Sequence, residues 1–367
     1  MESVPPDFTP SWTVRPYEPG DETQLVDLYA RVFGRPRSIE VWRWKLQGHP
    51  APYPTVWVAA TGEGQIVGQY GGIPLGLQIG GQVYPAVHAV EAMTDPAFRR
   101  QGMLTRLGEA AHGGWAAAGQ VAVLGLPNDQ WGTRNYALGY RPLFPLAWLR
   151  FPLHAERVVA RSAQIPRPLA GPVAALGAAG SGVWRGLARG AMHRQMRGTA
   201  VAVEEVTAPD PALDRLWARV APHYPHLVVR DSGWVDWRFL RAATGAYRVL
   251  LARAGGEPVA YLAYRLVESA ERVTGYVADV FMTPDGAAGA TALLDAALRD
   301  LAGRGAATVL ATGVPGSALY GLLRACGFWP MRHGFQFEIV PLAPLIQPTA
   351  LADPRAWYLT AGDFDVI

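Results

Sequence analysis

The strongest constraint on the fold is an internal repeat whose corresponding segments stand 188 residues apart. Three pairs of segments share this separation: Leu25 to Val32 with Leu213 to Val220, Glu91 to Pro96 with Asp279 to Pro284, and Gly139-Tyr140 with Gly327-Phe328. Self-similarity at a fixed period indicates that one structural unit is used twice. The length of 367 residues is also typical of two domains.

Both repeats predict the same order of elements: a strand, a helix, a meander of strands, and then strand, helix, strand, helix and strand. An aromatic helix end precedes the meander in each, as Trp42-Arg43-Trp44 and as Trp237-Arg238-Phe239. The pattern predicts an α/β (α+β) protein with domains at residues 1–153 and 201–340. In this interpretation residues 154–200 form a basic helical linker, and a tail, 341–367, docks on the body.

One stretch of the first repeat has the character of an anion-binding site. An apolar run from Ala86 to Met93 predicts a strand that stops at Asp95-Pro96, and an amphipathic helix begins at Met103. The basic turn between them therefore precedes a helix N-terminus, whose N–H groups and dipole favour a phosphate. Gly102 leaves the backbone accessible because it has no side chain. A basic turn without a ligand is the structural alternative.

The segment Arg99-Arg100-Gln101-Gly102-Met103-Leu104 resembles the pyrophosphate loop of the GNAT acyltransferase superfamily, Gln/Arg-x-x-Gly-x-Gly/Ala, and departs from it at Leu104. The resemblance covers residues 11–153 and 201–340. It implies two tandem GNAT-like acyltransferase domains, each a mixed, mostly antiparallel central sheet flanked by helices. It also implies acetyl-CoA as co-substrate, with the pantetheine arm in a notch between the strand ending near Met93 and the strand predicted at Val121 to Leu126. The cofactor-binding residues so implied are Met93, Thr94, Arg99, Arg100, Gln101, Gly102, Met103, Leu104 and Asn128.

The second repeat lacks this pattern of charge. Its corresponding turn contains Asp285, and no Arg or Lys occurs between Arg272 and Arg299. An acid at this position would repel a pyrophosphate. We therefore expect the second unit to have lost the cofactor and to serve a structural or acceptor-shaping role.

The superfamily uses a tyrosine, commonly four residues before the Gly of a Gly-Phe or Gly-Tyr pair, to protonate the departing CoA thiolate. In this sequence Asn135 stands four residues before Gly139, and Tyr136 stands three before it. One helical residue rotates a side chain by about 100°. Tyr136 is therefore either the catalytic acid or a tyrosine that packs in the core.

The resemblance also requires a base for the amine. Glu91 is an acid in an apolar strand, so it has either a functional role or a salt bridge to a buried arginine. His88 lies on the opposite strand face unless a bulge intervenes, and its structural alternative is a hydrogen-bonded core histidine. The two-domain layout is also similar to the enhanced intracellular survival type of acetyltransferase, which implies that the terminal carboxylate of Ile367 enters the site as the base.

Composition argues against several other classes of protein. The formal charge of +3 gives no argument for a nucleic-acid partner, and Cys326, the single cysteine, rules out an intrachain disulfide and a Cys-based metal cluster. No metal is expected. The N-terminus lacks a signal-peptide pattern and no apolar run is long enough to span a bilayer, which predicts a cytoplasmic protein without a membrane partner. Whether the protein is a homo-oligomer is left open.

The segment from Ala155 to Ala200 contains seven arginines and no acid after Glu156. It is interpreted either as an anion- or membrane-surface patch or, preferably, as a helical linker that packs apolar side chains against the domains. The side chains expected to pack are Val173, Leu176, Val183, Trp184 and Leu187.

Together these features predict an N-acetyltransferase that transfers an acetyl group from acetyl-CoA directly to a primary amine of a small molecule or of a protein. Two alternatives are kept. One is a non-catalytic acyl-CoA-binding or regulatory protein, and the other is an acyltransferase that uses a longer acyl or an aminoacyl donor.

Overall fold

The structure is a computed structural model and describes residues 11–48, 53–127, 134–160, 167–245, 247–269 and 272–365. The chain divides into two units. Unit 1 spans residues 1–144 and 336–352, and unit 2 spans residues 145–335 and 353–367. Each has a mixed, mostly antiparallel sheet flanked by helices, so the predicted fold class is confirmed.

Unit 1 is built from the elements at the start of the chain and one strand from its end. Its strands are β1 (Trp12–Pro16), β2 (Val56–Thr61), β3 (Ile66–Ile79), β4 (Gln82–Thr94) and β5 (Ala122–Gly125), and its helices are α1 (Glu22–Phe33), α2 (Ile39–Gln47) and α3 (Met103–Ala117). The last part of β13 (Trp329–Pro341) completes the strand order β1-β2-β3-β4-β5-β13. β4 and β5 are parallel, and the other neighbours are antiparallel.

Helices cover both faces of the unit 1 sheet. α1 and α2 bury Leu28 and Trp42 in one cluster, which includes Val58 of β2. α3 buries Leu107 in a second cluster, which includes Ala59, the next residue of β2. Because successive strand residues point to opposite faces, the two clusters lie on opposite sides of the sheet.

Unit 2 has its own sheet and helices. Its strands are the second part of β6 (Arg141–Pro152), β7 (Val201–Val206), β8 (His226–Val228), β9 (Arg248–Ala254), β10 (Glu257–Glu268), β11 (Val273–Met282), β12 (Thr308–Gly313) and β14 (Trp357–Tyr358). Its helices are α4 (Ala155–Ala160), α5 (Arg167–Gln195), α6 (Pro211–Val220), α7 (Ser232–Val235), α8 (Ala287–Gly303) and α9 (Ala318–Ala325). The strand order is β6-β12-β11-β10-β9-β7, and β8 pairs with β14.

The two units differ in detail from the predicted domains, because a unit boundary falls inside each of the strands β6 and β13. The assignment of residues 1–153 and 201–340 to two GNAT-like domains therefore stays a prediction. Within the residues described, no helix is long and apolar enough to cross a membrane.

The packing expected for the basic segment is wrong for three of its five side chains. Leu176, Val183 and Leu187 are strongly exposed, whereas Val173 and Trp184 are half-buried. The side of α5 that is buried carries small or flexible side chains: Ser181, Ala188 and Met192. Periodicity shows which residues share a face of a helix, but it does not show which face meets the core.

Candidate functional site

The basic turn lies at the N-terminus of α3, where the sequence predicts it. β4 ends at Thr94, and Asp95 begins the next turn by accepting a hydrogen bond from the Ala97 N–H over 3.0 Å. Arg100 and Gly102 both have left-handed backbone conformations, with φ values of 66° and 71°. Left-handed residues of this kind make backbone N–H groups converge, as in anion-binding nests. Gly102 also has no side chain with which to cap α3.

The turn is positively charged, exposed and tied to the sheet. The arginines Arg99, Arg100 and Arg106 are all solvent exposed. Trp12 Nε1 donates a hydrogen bond to Gln101 Oε1 over 3.0 Å, which holds the turn against β1. These features fit a diphosphate, because a ligand there would contact the arginine side chains and also the first backbone N–H groups of α3.

Two predicted cofactor residues have side chains that point into the protein. Met103 is buried in the hydrophobic cluster that contains Leu107 of α3 and Ala59 of β2, and Leu104 is half-buried against the same cluster. Both can therefore offer a ligand only their backbone groups. The leucine at the position where the superfamily prefers Gly or Ala does not cover the turn, because its side chain packs on the core.

β4 and β5 diverge at the point where the notch is predicted. Their register pairs Val87 with Val123 and His88 with Leu124, yet β4 continues to Thr94. On its other edge β4 contains a β-bulge, since the residues between Val90 and Met93 stand opposite only one residue of β3. Glu91, in this bulge, has a left-handed φ of 53°. The edge of β4 toward Met93 thus extends past its pairing with β5.

Glu91 is held by two cations. Arg37 Nη1 and Lys45 Nζ both donate to its Oε1, the latter over 2.7 Å. All three side chains are at most 10% exposed. Gln69 Nε2 also donates to the Glu91 carbonyl, over 3.2 Å. This is the structural alternative proposed for Glu91, a salt bridge to a buried arginine.

His88 links the two strands at their last pair. Its Nδ1 donates to the Leu124 carbonyl over 3.2 Å, and the side chain is buried. This contact matches the structural alternative of a hydrogen-bonded core histidine.

The polar side chain of Asn135 is buried, whereas the aromatic side chain of its neighbour Tyr136 is exposed. Both lie in a 3-10 turn, Arg134–Leu138, that follows β5. Tyr136 is 40% exposed, so it is not a core-packing tyrosine, whereas Asn135 is 2% exposed. Asn135, at the position where the superfamily has its tyrosine, points into the protein.

Asn135 contacts a buried acid that the sequence reasoning missed. Its Nδ2 donates to Oε2 of Glu338, which lies on β13 directly opposite Gly125, the last residue of β5. Burial raises the pKa of Glu338 to about 7, although the hydrogen bond from Asn135 acts in the opposite direction. Asn135 Oδ1 is buried without a hydrogen-bond partner among the residues described. A carboxyl group that titrates near neutral pH therefore lies at the end of β5.

A chain of buried hydroxyl groups lies beside this pair. Tyr140 Oη is 2.8 Å from Tyr70 Oη, which is 3.1 Å from His112 Nε2. Burial lowers the pKa of His112 to about 4, so the ring is neutral, and burial raises the pKa of both tyrosines. A side chain on Gly125 would collide with the Tyr140 ring, at 2.6 Å. Gly125 therefore allows Tyr140 to pack directly over the end of β5.

The matching edge in unit 2 is covered by the tail of the chain. β11 pairs with β12 from Thr274 to Tyr276 and continues to Met282. Beyond that pairing, Tyr358 Oη donates to the Val280 carbonyl over 2.6 Å. Thr360 Oγ1 donates to Asp279 Oδ1 over 2.8 Å.

A fully buried arginine fixes this tail. Arg230 Nε donates to Asp279 Oδ2 over 3.1 Å, and its Nη2 donates to Asp363 Oδ2 over 2.5 Å. A Cβ on Gly362 would lie 3.1 Å from the Asp279 Cβ, so the tail packs closely on β11. Burial raises the pKa of Asp363 to about 6, against the attraction of Arg230.

The turn before α8 also differs from its counterpart before α3. A Cβ on Gly286 would lie 2.4 Å from the Val259 carbonyl oxygen, so this turn is packed against β10. Hydrogen bonds from Thr283 and from its own backbone lower the pKa of Asp285, which is therefore ionised at neutral pH. An anion is disfavoured here by both space and charge.

Sequence reasoning located the turn and the notch but not every group around them. Asn128 and Ile367, predicted to bind the cofactor and to act as the base, lie outside the described residues. Glu338 could have been noticed by the same signal as Glu91, an acid in an apolar strand. Lys45 is the only lysine of the chain, and its burial beside Glu91 had no signal in the sequence.

The fold described above is similar to that of GNAT-like acyltransferases of known structure. Residues 13–141 match the family model of the acetyltransferase (GNAT) domain. This segment contains the basic turn, the bulged strand, β5 and Tyr136.

Solved structures with the same fold cover most of the chain. A conserved protein of unknown function from Enterococcus faecalis V583, described as a probable N-acyltransferase, is 13% identical with a TM-score of 0.61, over 91% of this chain and 73% of that one. A GCN5-related N-acetyltransferase from Anabaena variabilis is 14% identical with a TM-score of 0.61, over 90% and 73%. Saccharomyces cerevisiae N-myristoyltransferase with bound myristoyl-CoA is 12% identical with a TM-score of 0.62, over 93% and 85%. At these identities the likeness shows the fold alone, and no curated protein sequence matches the chain.

Proposed function

We propose that the protein is an N-acetyltransferase that transfers the acetyl group of acetyl-CoA directly to a primary amine of a small molecule or of a protein. The main support is the succession of parts in unit 1: a bulged strand that diverges from its neighbour, a left-handed basic turn, and the N-terminus of α3. The match of residues 13–141 to the acetyltransferase (GNAT) domain spans all of these parts.

In this proposal the turn holds the diphosphate of the donor and the edge of β4 orients its acyl end. Arg99 to Leu104 would supply cations and backbone N–H groups, and Met93 and Thr94 would supply backbone groups of the strand. The thioester brings an activated acyl group, so the chain itself needs to position the amine and to move two protons.

Glu338 is the proposed acceptor of the amine proton. It lies at the end of β5 and is held by Asn135, and its pKa of about 7 lets it take up and release a proton near neutral pH. Tyr136, the exposed neighbour of Asn135, is the proposed donor to the CoA thiolate. His88 and Glu91 have structural contacts that favour positioning roles, and the carboxylate of Ile367 stays a predicted base.

Release of the CoA thiol tests the proposal. Acetyl-CoA is incubated with the full chain and a panel of small polyamines, amino sugars and peptides, and free thiol is followed with a colorimetric reagent. We expect release that depends on an amine and yields the acetylated amine by mass spectrometry. Acetyl-CoA binding without release for any amine would favour the non-catalytic acyl-CoA-binding protein instead.

A longer acyl donor is the second candidate, supported by the fold shared with N-myristoyltransferase over 93% of the chain. Acetyl-CoA and myristoyl-CoA, offered separately at equal concentration with the same amine panel, distinguish the two. Faster transfer from acetyl-CoA supports the first candidate, and faster transfer from myristoyl-CoA supports the second.

A further inference from the structure

α5 presents a stripe of exposed apolar side chains. Leu169, Leu176, Val183 and Leu187 are 54%, 74%, 66% and 63% exposed. At about 100° per residue these positions lie within about 40° of one another around the helix axis. With a rise of about 1.5 Å per residue they extend over about 27 Å. These four residues are called the α5 stripe below.

Another side of α5 is fixed to unit 2. Trp184 Nε1 donates to the Gly327 carbonyl over 3.1 Å. The Trp184 ring also meets Trp329 edge-on, with the ring centroids 4.6 Å apart, and Trp329 is itself 44% exposed. The helix is thus held on unit 2 with the stripe toward solvent, and an exposed aromatic ring packs against it.

The charge of this segment has one sign. Between Glu156 and Glu204 the chain has seven arginines and no acid. Arg194 and Arg197 are exposed near the end of α5. Arg189 has an acidic neighbour, Asp295 of α8, at 3.8 Å. The segment therefore combines an exposed apolar stripe on α5 with an excess of positive charge.

We propose that the α5 stripe binds the surface of a membrane that contains anionic lipids. A helix of this composition lies in the plane of the interface, with its aliphatic side chains at the acyl boundary and its arginines on the lipid phosphates. Trp329 is of the residue type that is enriched at such interfaces. A second copy of the chain fits less well, because symmetric pairing of the stripes would bring two acid-free, arginine-rich helices together.

The test is co-sedimentation of the full chain with vesicles. One preparation contains phosphatidylcholine alone, and the other contains phosphatidylcholine and phosphatidylglycerol in equal parts. The stripe variant combines Leu176→Gln, Val183→Gln and Leu187→Gln, which are exposed and should leave the fold intact. Val203→Gln is the matched control, because Val203 is a 41% exposed apolar residue on β7 of the same unit.

We expect binding to the anionic vesicles that is weakened by salt and reduced at least about tenfold in the stripe variant, with Val203→Gln unchanged. Arg194→Gln with Arg197→Gln should weaken binding to the anionic vesicles only. Equal binding by the wild type and the stripe variant, or no vesicle binding by the wild type, would overturn the proposal. A wild-type dimer in analytical ultracentrifugation that the stripe variant abolishes, without vesicle binding, would assign the stripe to a second copy. Binding to polyglutamate but not to vesicles would assign it to an acidic protein.

Discussion

Units 1 and 2 share one strand arrangement and differ in what lies against its open edge. In unit 1, Ala89 and Ala92 of β4 are half-buried, whereas every residue of β11 from Val277 to Met282 is buried. The difference arises because the tail of the chain, with Tyr358 and Thr360 hydrogen-bonded to β11, covers the edge in unit 2. The same diverging pair of strands can therefore serve as a candidate ligand site or as a structural core.

The buried acid at each of the two strand edges is paired with cationic side chains. Glu91 pairs with Arg37 and Lys45, and Asp279 pairs with Arg230. Both carboxylates thus have arginine partners, as the alternative of a shared structural role requires. What differs is that Arg230 also binds Asp363 of the tail.

The largest expected effect is the loss of stability on replacing Arg230, the arginine that fixes the tail. Arg230→Met would leave Asp279 and Asp363 buried without their cation and should lower the free energy of unfolding by about 3–5 kcal/mol, measured by urea denaturation. Arg355→Met removes an arginine from an exposed pair with Asp353 and should leave the urea midpoint unchanged. A loss below about 1 kcal/mol in Arg230→Met would show that the tail is held by other contacts.

The next effect concerns the turn before α3. Gly102→Glu adds bulk and negative charge where the diphosphate is expected, and should weaken acetyl-CoA binding at least about 100-fold, equivalent to about 2.8 kcal/mol, by equilibrium dialysis.

Gly256→Glu is the matched control for this change. Gly256 also has a left-handed φ, 87°, with open space around it, but it lies in the turn between β9 and β10 of unit 2. It should show a similar backbone strain and unchanged affinity. Comparable loss of binding in both variants would mean that strain, and not the turn, explains the result.

Glu338 should set the pH dependence in unit 1. Because its pKa is raised to about 7, kcat should rise with pH through that value, and Glu338→Gln should lose this rise with about 10- to 100-fold lower kcat and unchanged KM for acetyl-CoA. Protonated Glu338 also contributes to the free energy of unfolding. This contribution is fully present below the pKa that Glu338 has in the unfolded chain, and it is lost as the pH rises through about 7. Glu338→Gln should therefore reduce the fall in the free energy of unfolding over this pH range.

Asn135→Ala controls for the position of this carboxylate, and should lower kcat while keeping a titration in the profile. A Glu338→Gln enzyme with the wild-type pH profile would remove Glu338 from the proton path.

The smallest effect is expected at the contact between the turn and β1. Trp12→Phe removes the hydrogen bond to Gln101 and keeps most of the packing, so acetyl-CoA binding should weaken about two- to fivefold, within about 1 kcal/mol. An unchanged affinity would show that the turn keeps its shape without this anchor.

The local parts of this arrangement could be read from the sequence, and the long-range parts could not. Strand, turn and helix around Gly102 follow from apolar spacing and from proline and glycine. The contact of Asn135 with Glu338 joins residues 203 positions apart, and that of Arg230 with Asp363 joins residues 133 apart. Periodicity carries no information about such pairs, and for the same reason it did not reveal which face of α5 meets the core.

The most direct test of the comparison is the number of acetyl-CoA molecules bound per wild-type chain, measured by isothermal titration calorimetry. An open edge and basic turn in unit 1, with a covered edge and acidic turn in unit 2, predict one molecule per chain. Two molecules would show that the tail and Asp285 do not close unit 2, and none would show that unit 1 is not an acyl-CoA site.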